Sequence, residues 1–212
     1  VRKRPGTVGI CAAIMNHYQV DAVPHIICGG FTRRETEDAL IDLDFLGIDN
    51  VLVLRGDAAK NEAFFEPERD GNHYAIDLLE QVTRMNNGIY IDEDIKNGGK
   101  TEFCAGVAGY PEKHFEAPNL EIDLQRLKQK VDAGAEYIMT QMFFDNEKFY
   151  AFVKAIDIPI ASAGILMWLE RSFNEPTFYE WTAFVLAEIP PAFYLLNEVT
   201  FYEDLNSQML SC

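Results

Sequence analysis

Apolar and polar positions run along this chain in blocks that switch between two periods. Val51, Leu52, Val53 and Leu54 form an unbroken apolar run of strand length, with Asn50 before it and Arg55-Gly56-Asp57 behind it. Such a run reads as a strand buried on both faces. Upstream, Thr32 opens a helix with Glu35 at the capping-box spacing. Ala39, Leu40, Leu43 and Leu46 then recur at three- to four-residue intervals, and Gly47 is placed to stop the helix. Residues 22–28 are a shorter apolar stretch ended by Gly29-Gly30, with Pro24 weakening its middle. Residues 22–54 therefore predict a strand–helix–strand unit with a right-handed crossover.

The alternation continues downstream. Residues 58–72 are polar and read as a loop, and residues 74–85 place Ala75, Leu78, Leu79, Val82 and Met85 on one helical face before Asn86-Asn87-Gly88. Residues 88–99 suggest a short β-like piece and an Asn-Gly turn outside the main repeat. Residues 103–108 form a strand of small residues ended by Gly109-Tyr110-Pro111. Leu120, Leu124, Leu127 and Val131 mark a helix between Asn119 as cap and Gly134 as stop. Residues 137–141 predict a strand, and residues 146–156 a helix carrying Phe149, Phe152, Val153 and Ile156 inward. Ile158-Pro159-Ile160 could start another strand, and residues 8–15 read as a strand or buried turn.

Repeated strand–helix alternation requires a parallel sheet, either open and doubly wound or closed as a (β/α)8 barrel. No GxGxxG or GxxxxGK[ST] follows any strand, which counts against the usual nucleotide-binding open sheets. Polar residues are instead expected at the ends of several different strands: His25, Arg55 with Asp57, Tyr110 and Gln141. A barrel active site is built that way. The fold expected is α/β, a (β/α)8 barrel, incomplete because a barrel usually takes about 250 residues.

Composition adds bounds. The 212 residues are 48% hydrophobic and 25% charged, a globular balance. The net charge of −16 argues against nucleic acid and anionic membrane surfaces as partners. No apolar run is long enough to cross a bilayer. Cys11, Cys28, Cys104 and Cys212 are scattered and make no metal spacing; reduced thiols in a cytoplasmic protein are the simplest reading. The chain begins at Val1 with Arg2-Lys3-Arg4, as expected of an internal piece of something longer. Residues 154–212 hold two cations, Lys154 and Arg171, against eight carboxylates, and both tryptophans, Trp168 and Trp181. Residues 179–187 could be an amphipathic helix broken at Pro190-Pro191.

The candidate residues each have a functional and a structural reading. Asp57, behind a glycine turn, can act on a basic nitrogen of a ligand or simply bend the backbone. Gln141 offers a donor and an acceptor to a heterocycle edge, or bonds loop backbone. His25 is a ligand contact or a satisfied core histidine. Lys128 and Lys130 lie on a helix where a solvated face is the ordinary reading. Nucleophilic triads find no support, since there is no GxSxG.

Taken together, several segments resemble the methylenetetrahydrofolate reductase family: Pro24-His25, Leu54-Arg55-Gly56-Asp57, Tyr74-Ala75, the run from Ala108 through Gly109-Tyr110-Pro111-Glu112-Lys113 to His114, the helix from Leu127 to Ala135, and the run from Thr140 through Gln141 to Asp145. They keep the family order over roughly residues 20–153. The resemblance implies a barrel holding FAD non-covalently, with hydride passing from NADH or NADPH through the flavin to methylenetetrahydrofolate. It implies catalytic roles for Asp57, near flavin and pterin, and Gln141, against the folate. It implies flavin contacts at His25, Leu54, Arg55, Gly56, Asp57, Tyr74, Ala75, Ala108, Tyr110, His114, Asp123 and Lys130, with Lys130 reaching the diphosphate; two further family positions hold Arg126 and Gln129 in place of the more typical residues. The family's early Phe-Phe-Pro-Pro-type segment with its glutamate, and its Thr-Tyr-Gly-Ala-Gly-Gly-Ser-like segment, are not found. The expected division is a partial FAD-binding barrel over residues 1–153 and, over 154–212, an acidic, aromatic tail that the resemblance does not match, either a separate segment or the remaining barrel elements. The alternative is a catalytically incompetent fragment or interaction module, whose exposed strand edges would also admit a homo-oligomer.

Overall fold

The computed structural model describes residues 5–58, 64–92, 99–156 and 160–161. Five strands form one sheet: β1 (His25–Ile27), β2 (Asn50–Leu54), β3 (Cys104–Gly109), β4 (Tyr137–Thr140) and β5 (Ile160–Ala161). They lie side by side in chain order, and every neighbouring pair is parallel. The helices are α1 (Thr7–Tyr18), α2 (Arg33–Phe45), α3 (Ala75–Asn86), α4 (Leu120–Asp132) and α5 (Asn146–Ala155). Sequential order decides between the two architectures. A doubly wound sheet reverses its order at a switch point, whereas a barrel adds each strand on the same side of the last. The described strands are an arc of a (β/α)8 barrel.

Local chemistry sets the limits of the helices. Thr32 Oγ1 accepts the Glu35 N–H at 3.2 Å, and the Thr32 N–H donates back to Glu35 Oε2 at 2.8 Å, a complete capping box. At the other end of α2 the Ile48 N–H reaches Leu43 O and the Gly47 N–H reaches Asp44 O, both at 3.0 Å, with Gly47 at φ +68°. That pair of bonds satisfies the last carbonyls and turns the chain toward β2. The same pair closes α3 at Gly88 and α4 at Gly134. Three successive units therefore end by one mechanism.

The strands alternate between two faces. Ile26, Val51, Val53, Ala105, Val107 and Ile138 are buried in one cluster with Leu40, Leu43, Leu78, Leu79, Val82 and Met85 of the helices. His25, Leu52, Gly106 and Tyr137 are register partners at one level of the opposite, inner face. There the Tyr137 ring lies across Gly106, where an added Cβ would sit 2.0 Å from the ring. The ring reaches over β3 to donate its hydroxyl to Val51 O of β2 at 3.0 Å.

Several expectations change. Residues 8–15 are helical: Val8, Cys11 and Met15 share the inward face of α1, a three-to-four spacing hidden among small residues. In α2 the buried face is Thr36, Glu37, Leu40 and Leu43, and Leu46 is exposed. Glu37 is tolerated because its carboxylate accepts the Ile91 N–H at 2.8 Å. Leu120, at the first position of α4, is also exposed. Residues 88–92 form no strand. The Asn97-Gly98 turn, Ile158-Pro159 and the helix expected over 179–187 lie outside the described residues.

The packing at Gly106 yields a stability test. Gly106→Ala must displace the Tyr137 ring, and it is expected to cost about 1–3 kcal/mol. Tyr137→Phe loses only the hydrogen bond and should cost about 1 kcal/mol. Urea unfolding of the three proteins gives the comparison.

Candidate functional site

The carboxyl ends of β1 to β4 open on one rim. At the end of β2, Gly56 takes φ +87°, and a Cβ there would rest 3.5 Å from Ile27. This left-handed residue separates Arg55 from Asp57. Arg55 points to the next loop, where Nη1 and Nη2 donate to Glu116 Oε2 and Oε1 at 2.7 and 2.8 Å. Its guanidinium also lies over the Phe65 ring, 5.2 Å from the centroid, and Nε donates to Gly56 O at 3.4 Å. The two hydrogen bonds to Glu116 hold Arg55 above its ordinary value and Glu116 below the usual carboxylate range.

The loop after β3 is held by its own backbone and side chains. Lys113 sits at φ +77°, and its ammonium donates to the carbonyls of His114 at 2.8 Å and Ala117 at 2.6 Å. The His114 N–H donates to Asp123 Oδ2 at 2.8 Å. His114 Nδ1 accepts the Glu116 N–H at 3.2 Å, which leaves Nε2 to carry the proton of the neutral ring. The ring meets Tyr110 edge-on, centroids 4.6 Å apart. Burial lowers His114 from its ordinary value, opposed by the charges of Glu116 and Asp123. Burial raises Tyr110, and Asp123 and Asp57 add to the rise.

A small cleft lies behind this loop, lined by Ala108, Gly109, Tyr110, Asp123, Lys130 and Phe152 among others. Burial pushes the Lys130 ammonium below its ordinary value, with Asp123 opposing. That ammonium makes no hydrogen bond or ion pair with any described residue. A half-buried cation in this state gains from an incoming anion.

The structure thus groups Arg55, Asp57, Ala108, Tyr110, His114, Asp123 and Lys130. Asp57 is exposed, and its charge is felt by both Arg55 and Tyr110. Gln141 follows β4, with its N–H on Gly109 O at 2.7 Å and its side chain exposed. Tyr74 caps α3 without a side-chain cap bond, and Ala75 is the first residue of that helix. Leu54 ends β2 on the inner face. His25 is a correction: it begins β1 rather than ending it, because Pro24 leaves only three residues to pair before Cys28. Its side chain is exposed on the inner face, level with Leu52 and below the rim. Cys28 does reach the rim, but burial pushes its thiol up to about 12, which favours the protonated thiol over the nucleophilic thiolate.

Glu116 and Phe65 were not anticipated. Glu116 lies 61 residues from its partner, and no local spacing rule relates them. Among the described residues no cluster of His, Cys, Asp and Glu could hold a metal ion, and no helix is long and apolar enough to cross a membrane.

A sequence model of the family described as methylenetetrahydrofolate reductase matches residues 2–195. This chain belongs to the methylenetetrahydrofolate reductase family. The match extends past residue 153, beyond the segments on which the resemblance was read. Methylenetetrahydrofolate reductase 1 of Schizosaccharomyces pombe is 35% identical over 159 residues, which are 73% of this chain and 24% of that protein. The probable NADH enzyme of Oryza sativa is 32% identical over 193 residues, 87% of this chain and 30% of that protein. The probable NADPH enzyme of Caenorhabditis elegans is 32% identical over 154 residues, 73% of this chain and 21% of that protein. The chain therefore spans less than a third of the length of these relatives. Among solved structures, a 2,3-dimethylmalate lyase of the PEP mutase/isocitrate lyase superfamily aligns with a TM-score of 0.51 at 11% identity, covering 79% of this chain and 56% of that one. That likeness is one of fold.

The lowered His114 value gives a signed pH dependence. The folded chain favours the neutral ring, so the stability His114 contributes is complete above the unfolded imidazole value. It is lost as pH falls through the lowered folded value. A ring-proton NMR titration should place His114 below about 6.5, the ordinary histidine value. His114→Gln should flatten the stability profile just below that pH.

Proposed function

We propose that this chain supplies the FAD-binding part of a flavin-dependent methylenetetrahydrofolate reductase. The enzyme would take hydride from NADH or NADPH and convert 5,10-methylenetetrahydrofolate to 5-methyltetrahydrofolate, in the cytoplasm, for one-carbon and methionine metabolism. The observation that carries this reading is the half-buried Lys130 ammonium, which has no partner among the described residues. It sits behind Tyr110 and His114 at the end of β3, in a chain of this family.

The residues present fit such a cofactor. Lys130 offers a cation whose desolvation an anionic diphosphate would offset. The neutral His114 ring presents Nε2–H as a donor, its other nitrogen being engaged by Glu116. Ala108 lines the cleft with little bulk, and Gly56 turns the β2 end without a side chain in the way. Residues 108–130 thus suit the diphosphate end, and Arg55, Gly56 and Asp57 suit the ring end. Bound flavin would supply the redox chemistry; the protein supplies placement and electrostatics.

The remaining roles follow from the side chains. Asp57, exposed and anionic, accepts hydrogen bonds from N–H groups of a heterocycle and holds a proton-accepting oxygen at the rim. Gln141, one strand beyond Tyr110, offers a donor and an acceptor to the folate. Tyr74 and Ala75 lie at the amino end of α3, where the Asp77 carboxylate accepts the His73 and Tyr74 N–H groups, and would line the flavin with the Tyr74 ring. The acidic, aromatic segment over residues 154–212 would supply remaining barrel elements rather than a separate module, since the family match runs to residue 195 and β5 pairs with β4.

The test is binding of FAD and of riboflavin to the purified chain, followed by flavin fluorescence. Lys130→Met should weaken FAD by about 10- to 100-fold, the worth of a charge-assisted hydrogen bond. Riboflavin, which has no diphosphate, should bind both proteins alike. A native chain that takes up no FAD, or a variant that loses both ligands equally, would overturn the assignment.

A further inference from the structure

The rim carries two carboxylates whose charges act on one guanidinium, and they are treated unequally. Glu116 occupies both Nη atoms of Arg55 in a fork-to-fork pair at 2.7 and 2.8 Å. Nε is directed back to Gly56 O, and one face of the guanidinium lies over Phe65. Three of the five Arg55 N–H donors are thus engaged, and the fork that meets a carboxylate in two bonds is taken by Glu116. Asp57, two residues along and across the left-handed Gly56, has no hydrogen bond or ion pair among the described residues.

We propose that Glu116 is a positioning residue that claims the Arg55 fork and thereby keeps Asp57 out of an ion pair with Arg55, available to a ligand at the rim. Were Glu116 neutral, the freed guanidinium would turn to the nearest carboxylate, and Asp57 would be the candidate on the same strand end. Glu116 acts in both directions along the rim, because its N–H also fixes the His114 ring. The charged and titratable groups around the pair are Asp57, Tyr110, His114 and Arg126. Arg126, on α4, adds positive charge near Glu116, and Glu116 makes its ion pair with Arg55. The inference rests on the flavin-site reading only for the identity of the ligand that Asp57 receives.

The experiment is carried out on the flavin-free chain. The Asp57 carboxyl is titrated by carbon-13 NMR in the native protein, in Glu116→Gln, and in Glu116→Gln combined with Arg55→Gln. Asp57 should titrate about one unit lower in Glu116→Gln than in the native chain, the shift expected of a newly adjacent arginine. The double variant should abolish that lowering. Equal Asp57 values in the native chain and Glu116→Gln, or a lowering that survives without Arg55, would refute the proposal. A second measurement avoids dependence on the folding of Glu116→Gln: Asp57→Asn alters an exposed side chain, and Glu116 is titrated instead. If Glu116 already holds the fork alone, its value stays where it is in the native chain. A fall of about one unit or more on removing Asp57, larger than the loss of a nearby like charge alone gives, would mean that the two acids share Arg55, contrary to the proposal. Because no flavin is present, a chain that fails to bind FAD would sink the cofactor reading and leave this result standing.

Discussion

Parallel strands laid down in chain order must deliver every carboxyl end to the same side. Each of the described strands pairs with the strand before it, and each connection must cross the sheet through a helix. The apolar runs decide how far the strands extend, and the first polar residue after each run falls on the rim. Arg55, Tyr110 and Gln141 are those residues for β2, β3 and β4. Chemistry at this rim follows from that topology and from where each apolar run stops. The same constraint puts the amino ends of α3 and α4 close to the strand ends, so a cap such as Asn119, which accepts the Ile122 N–H at 2.8 Å, also sets where Asp123 and Lys130 lie.

The loops are joined to one another rather than merely to their own strands. Phe65 packs against Gly29, where an added Cβ would come within 3.2 Å of its ring, and carries Arg55 on its face. Arg55 in turn binds Glu116. Asn72 donates to Gln81 at 2.8 Å, and Gln81 donates to Arg33 O at 2.7 Å, both in buried or partly buried surroundings. Three consecutive strand–helix loops are therefore connected across sequence separations that no helix or hairpin would bridge. A site made of side chains from different loops needs such connections to hold a common geometry.

Much of this was legible in the order of residues, and the failures are physical. Runs such as Val51–Leu54 and faces such as Leu78, Leu79, Val82 and Met85 declare their period because burial selects for it. Glycines 47, 88 and 134 each mark a helix end because a left-handed residue is needed there. α1 was missed because alanine and glycine between its inward residues carry no polar contrast. The strand-end residues Arg55, Tyr110 and Gln141 were visible from topology alone. His25 was placed one strand-length too high because Pro24 shortens β1 from its start. Glu116 was invisible, since a contact between two loops depends on how the crossover helices seat against the sheet, and local patterns do not encode that.

The unequal treatment of the two rim acids follows from reach and geometry rather than from charge alone. A carboxylate that meets both Nη atoms in one plane gains two charge-assisted bonds at once, and a competitor gains at most one strained bond to the same group. Arg55 leaves the end of β2 pointing along the sheet, toward the loop of the next strand, where Glu116 waits. Asp57 comes after a left-handed turn that carries the chain away from that direction. In a chain of net charge −16, a surplus of acid is no rarity, and most exposed carboxylates are simply hydrated. What distinguishes Asp57 is its place near Tyr110 on a rim where the Arg55 guanidinium is already engaged by Glu116. A ligand with N–H donors therefore meets an acceptor that need not first be pulled out of an ion pair.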